Sequence, residues 1–252
     1  MLRRFTLLAV LLVSLAVPAF ARGNLKELTV PLKFVPQEAV HESSADLPPG
    51  MLDQAVEVRV EDARKLQDPL VIGSGTGGDD KPFPIHADRE VRAYVQEVLT
   101  GIGKAWSLKL DGPATRILIV RITGFSIDES NKAVGSMYSG DAKLAFTLTD
   151  TQGHTLSSGV GSGSTHRYGR AHSPENINEV LSDALKEAYA NVLADSALQT
   201  SWVAGKPAGN ATQAAPRESV EERLRKLEDL YKKGLITKDE YQKRREEILK
   251  DT

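Results

Sequence analysis

Apolar residues recur along this chain in two periods, and the switch between the two marks its elements. Val56, Val58 and Val60 alternate with Glu57, Arg59 and Glu61, the two-residue repeat of a strand with one wet face. Leu144, Phe146 and Leu148 alternate in the same way with Lys143, Thr147 and Thr149. Asp150-Thr-Gln-Gly153 then supplies a turn into a return strand from His154 to about Tyr168. Residues 116–122 are apolar on both faces, which suits a central strand. Leu28 to Val35 reads as a first strand that Pro31 confines to an edge or a strand end. Ala105 to Leu110 reads as a short strand closed by Asp111-Gly112-Pro113.

Helical spacing appears twice in this region. Val91, Tyr94, Val95, Val98, Leu99 and Ile102 form one stripe, with Asp88 expected as its cap and Gly101 or Gly103 as its end. Ser173-Pro174-Glu175 combines a capping side chain, a first-turn proline and an acid at the positive end of the helix dipole. Behind it run Ile177, Val180, Leu181, Ala184, Leu185, Ala188 and Val192. Residues 36–54 are loop-like, with Pro48-Pro49-Gly50 as a breaker, and the Gly-rich run 73–78 is expected to be a mobile loop. Gly159, Gly161 and Gly163 fall on one face of the return strand, so that face must be bent, closely approached by other backbone, or exposed. The element order predicts an α+β fold, an antiparallel sheet with two helices packed on one face.

The chain ends change the picture. Arg3 and Arg4 precede an apolar run from Phe5 to Val17, and Pro18 stands before Ala19-Phe20-Ala21, a small-x-small cleavage pattern. The run is shorter than the roughly 20 residues of a membrane span, so 1–21 reads as a signal peptide cleaved after Ala21. The expected divisions are a signal at 1–21, a domain at 22–198, a flexible linker at 199–216 and a C-terminal α-helical hairpin at 217–252. No later stretch is apolar enough to span a membrane, and the expected location is the periplasm. The formal charge of −2 becomes −4 without Arg3 and Arg4, and no basic patch precedes the hairpin, which argues against a nucleic-acid partner. The chain has no cysteine, which excludes disulfides, thiolate ligands, cysteine nucleophiles and a lipid-bearing cysteine within it.

The hairpin carries the sharpest pattern. Leu224, Leu227, Leu230 and Tyr231 form one stripe, and Gly234 stops the helix. Thr237 and Glu240 make a capping box, Tyr241, Ile248 and Leu249 form the second stripe, and Leu235 and Ile236 fill the bend. About 30 residues bury too little apolar area to stand alone, so these residues are expected to contact another copy or a protein partner. The run Leu227 to Lys243 resembles the SHOCT module, a short bacterial C-terminal hairpin, and the resemblance implies oligomerisation or tethering and no catalysis. The element pattern over residues 28–198 resembles the YajG-like family of bacterial envelope lipoproteins. That family carries a lipidated cysteine after its signal, whereas this chain has Ala21-Arg22.

Candidate chemistry is thin. Gly73-Ser-Gly-Thr-Gly-Gly78 lacks the Lys-Ser/Thr of a P-loop and precedes prolines rather than a helix. No nucleophile elbow has the right register. His154, His166 and His172 could converge in space for a metal or a hydrolase, the alternative to a non-catalytic binding or scaffolding module, but they lack helical ligand spacing. Arg167, Tyr168 and Arg170 could meet an anion. The sequence therefore assigns no catalytic, cofactor or metal residue.

Overall fold

The long alternating runs between residues 116 and 169 fold into an antiparallel meander that forms the spine of the domain. The computed structural model describes residues 25–40, 47–77, 81–205, 241, 242 and 245. The meander is β5 (Arg116–Asn131), β6 (Ser136–Thr149) and β7 (Thr155–Gly169), and it is preceded by β1 (Leu28–Val30), β2 (Val56–Asp62), β3 (Val71–Thr76) and β4 (Pro82–Ala87). The helices are α1 (Pro49–Leu52), α2 (Val91–Ala105), α3 (Pro174–Leu193) and α4 (Ser196–Ala204). Strands follow the order β1-β4-β3-β5-β6-β7, with β2 also paired to β5.

The sheet is mixed, not antiparallel as expected. β2 runs parallel to β5 from Val56↔Arg116 to Asp62↔Ile122, β3 runs parallel to it from Gly73↔Ile127 to Gly75↔Glu129, and β1 runs parallel to β4. Alternation tells which residues face the core but not which way the neighbouring strand runs. Direction is set by the connection, and here α2 intervenes between β4 and β5 as the crossover that parallel pairing requires. Since β6 occupies one edge of β5 throughout, β2 and β3 share the other, leaving Thr123–Ser126 between them without a strand partner on that side.

Leu118, Val120, Ile122, Phe125 and Ile127 of β5 point inward with Leu144, Phe146 and Leu148 of β6, and α2 and α3 cover them in one core. A bulge between Ile122 and Gly124 shifts the inward set from even to odd positions. Trp106, just past α2, stacks on Tyr189 of α3 with ring centres 6.0 Å apart. The glycines of β7 admit α3. A Cβ on Gly161 would lie 2.4 Å from the Ala188 carbonyl oxygen, and one on Gly163 would lie 2.2 Å from that of Ala184. Close backbone approach is thus the one of the three expected reasons that applies. Ser173 caps α3 as expected, accepting from the Asn176 amide at 3.3 Å.

Several boundaries differ from expectation. Residues 71–76 are strand, because Gly73 and Gly75 let β3 sit against the Ile127 carbonyl and the Phe83 ring. α2 continues through Gly101 and Gly103 to Ala105 and ends in a paired turn, Leu108 amide to Gly103 carbonyl (2.8 Å) and Ser107 amide to Lys104 carbonyl (3.0 Å), so residues 105–110 form no strand. Asp88 does not cap α2 but accepts from the Leu32 amide at 3.0 Å. The expected first strand stops at Val30. The expected linker start, 199–204, belongs to α4, where Trp202 is fully buried.

Candidate functional site

The face of the sheet away from the helices is polar, and a concavity lies on it over the gap between β2 and β3. Arg64 shapes it. The Arg64 side chain is only 4% exposed and its guanidinium bonds Asp62 (2.8 Å), the Pro69 carbonyl (2.8 Å) and the Val71 carbonyl (3.3 Å), closing residues 63–70 into a loop beside β5. Burial pushes the Asp62 carboxyl upward, but the hydrogen bonds and charge of Arg64 outweigh it and hold the group below its usual range.

The resulting cleft encloses about 420 Å³ between that loop, β3, β5 and the edge of β6. Ser126 pairs with Asp141 and Asp128 with Ser139, so the two aspartates are diagonal neighbours on one face, within about 8 Å. Each is held by a serine: Ser74 Oγ donates to Asp128 (3.1 Å) and Ser164 Oγ donates to Asp141 (2.5 Å). These hydroxyls donate to carboxylates rather than to an imidazole. The cleft offers hydrogen-bond acceptors to a ligand that donates.

A second polar cluster is structural. Glu129, 1% exposed, accepts from the His172 amide (2.7 Å) and the Tyr138 hydroxyl (3.1 Å), with His172 Nδ1 at 3.3 Å. The single Tyr138 proton is shared between Glu129 and the nearer Arg170 carbonyl (2.6 Å), and the same oxygen accepts from the Ser173 amide (3.0 Å). Burial, more than any neighbour, raises the Tyr138 hydroxyl above its ordinary range. The cluster locks the turn from β7 into α3, in which His172 takes a left-handed φ of 56°. No sequence pattern marked Glu129, although an acid at an inward-facing strand position was a usable signal.

The three candidate histidines do not converge. His154 sits at the β6–β7 turn against Asp150 (2.9 Å) and His172 beyond the other end of β7, separated by roughly 45 Å at about 3.3 Å per residue. Among the described residues no cluster of three or more His, Asp or Glu side chains is placed for a metal. Arg167 pairs with Glu179, and Arg170 lies 3.6 Å from Glu175 in solvent beside the exposed Tyr168. Of the expected contact residues only Tyr241 is described, helical and half-buried. Leu224, Leu227, Leu230, Tyr231, Leu235, Ile236, Ile248 and Leu249 lie outside the described residues, as do Ala19 and Ala21. No described helix is long and apolar enough to cross a membrane.

A mixed sheet with helices on one face and a wet, clefted opposite face defines a small α+β class. The chain belongs to a family described as uncharacterized lipoprotein, whose model matches residues 46–201, and residues 222–249 match the short C-terminal domain, SHOCT. No protein of curated function matches. Solved structures with a related layout include a Xanthomonas campestris protein, with 10% identity, 71% of this chain and 99% of that one covered, and a TM-score of 0.47. A minor lipoprotein from Acinetobacter baumannii gives 8% identity, 60% and 92% covered, and a TM-score of 0.30. The PelC dodecamer of Paraburkholderia phytofirmans gives 13% identity, 58% and 94% covered, and a TM-score of 0.25. These superpositions are loose and carry no functional inference.

Proposed function

We propose that this chain is a non-catalytic binding and scaffolding protein of the bacterial cell envelope, exported to the periplasm and multimerised through its C-terminal hairpin. The observation that carries this reading is the cleft over the β2–β3 gap. Two serine-held aspartates face solvent in a concavity of ligand size, and the hydroxyls beside them have carboxylates rather than an imidazole as partners. The family is named for lipoproteins, yet no cysteine of this chain is available to carry a lipid. We infer an assembly held by protein contacts, in which joining several copies through the hairpin would raise avidity without new contacts at the cleft.

Light scattering on the full chain and on a variant ending at residue 216 tests the multimerisation. A larger mass for the full chain is expected, and equal monomeric masses would remove this part of the reading. Metal analysis of the purified protein tests the non-catalytic part, since a stoichiometric ion would point to metal-dependent chemistry. Replacing Ala19 and Ala21 with bulky residues should leave the longer, unprocessed chain in envelope fractions, and normal processing of that variant would place the cleavage elsewhere.

A further inference from the structure

Residues 31–36 run extended across α2 and α3 and the chain bends at 37–38, held by backbone hydrogen bonds and by Leu32, Phe34 and Val40 packing on the core. The Lys33 amide donates to Asn178 Oδ1 (3.0 Å), and Asn178 Nδ2 donates to the Pro31 carbonyl (3.0 Å). The Val35 amide donates to Ser182 Oγ (2.9 Å) and the Gln37 amide to Asp183 Oδ1 (3.0 Å). Trp106 Nε1 closes the far end on the Val40 carbonyl (2.8 Å). The side chains of Lys33, Val35 and Gln37 face solvent, while Leu32 is buried as an apolar anchor. Such a ladder fixes the direction and register of an extended segment and asks little of its sequence, as peptide-binding grooves do.

Val30 and Leu32 are 0% and 5% exposed, so a vacated groove would open the apolar core beneath them to water. The groove must be refilled whenever its own segment leaves. Leaving is topologically simple, because β1 is a three-residue strand at the sheet edge bonded only to β4, and residues 25–40 can detach without unpairing any other elements. Every copy carries the matching segment with its Leu32 anchor. We propose that the α2–α3 groove is an acceptor for an extended main chain and that a second copy fills it by reciprocal exchange of residues 25–40. The exchanged pair keeps every hydrogen bond of the monomer, so association entropy and the hinge are the opposing terms. This link goes beyond the proposed role of the C-terminal hairpin and does not depend on it.

The absence of cysteine makes the test clean. Full-length Q37C and D183C variants are mixed, incubated and treated with a short bis-maleimide, and masses are read under denaturing conditions. Exchange predicts Q37C–D183C heterodimers several-fold above either homodimer. Association through the hairpin alone predicts no such preference, and an absence of excess heterodimer overturns the proposal whatever the hairpin does. The Q37C/D183C double variant checks the register and should close within one chain or across a pair. Failure to close either way would mean the segment does not occupy the groove, and that too overturns the proposal.

Discussion

Three buried tyrosines illustrate how the surroundings of one hydroxyl decide its worth. Tyr138 is bonded on both sides, whereas the Tyr189 hydroxyl is fully buried with no hydrogen-bond partner. Tyr138→Phe should therefore cost about 1–3 kcal/mol, while Tyr189→Phe should be neutral or stabilising, as read by denaturant unfolding. Burial also raises all three hydroxyls, that of Tyr94 to about 12 from 10.0. The folded state keeps these protons after the unfolded state has lost them. The stabilisation is complete below pH 10 and drains away as pH climbs toward 12. Stability measured from pH 9 to 11.5 should decline above 10, less steeply in Tyr189→Phe. A single backbone position offers the opposite opportunity. Ser107 occupies the left-handed turn after α2 with φ 64°, so Ser107→Gly should stabilise by about 0.5–1 kcal/mol.

Between elements, the domain repeatedly uses helix side chains to satisfy the backbone of strands or of the strap formed by residues 31–40. Gln96 of α2 accepts from the Val60 amide (2.9 Å) and donates to the Val58 carbonyl (2.9 Å), sealing the free edge of β2. Asn191 and Glu187 of α3 do the same for β7 at the Ser162 carbonyl (2.7 Å) and the Ser164 amide (3.1 Å). Edges covered in this way resist pairing with other chains. On the other flank of α3, Asn178 and Ser182 hold the strap. Asn178→Ala removes both of its bonds and leaves the Pro31 carbonyl and Lys33 amide to find new partners, an expected loss of about 1–3 kcal/mol by chemical denaturation. Gly163→Ala should do more damage, since its Cβ would meet helix backbone that cannot swing aside; an unchanged melting temperature would contradict the described α3–β7 contact.

At the scale of the molecule, one sheet divides two duties. Its helix-covered face contains the single core, and its polar face carries the cleft. Asp128→Asn with Asp141→Asn removes two charges from a solvent-facing site without touching that core. The pair should shift unfolding by about 0.5 kcal/mol or less while weakening any ligand held there. A large fall in stability would instead make the aspartates part of the framework. The arrangement also explains why the domain needs both residues 31–40 and α4: the former cover the back of α3, and the latter buries Trp202 beside β7.

Periodicity in the sequence determined which residues face the core. The stripes of α2 and α3, the alternation of β2 and β6 and the Ser173 cap are local patterns fixed by helix and strand geometry, and the match to the short C-terminal domain at residues 222–249 is likewise carried by local sequence. The Gly161 and Gly163 repeat announced a constraint without saying which. Strand direction was not legible, because parallel and antiparallel neighbours want the same alternation. Nor was β3, whose glycines look like a loop until the Ile127 carbonyl and Phe83 ring arrive beside them. The cleft, the Glu129 lock and the strap ladder exist only when residues tens of positions apart meet. A lone Asp, Gln or Asn carries no periodic signal of its partner, so only the tertiary structure could decide them.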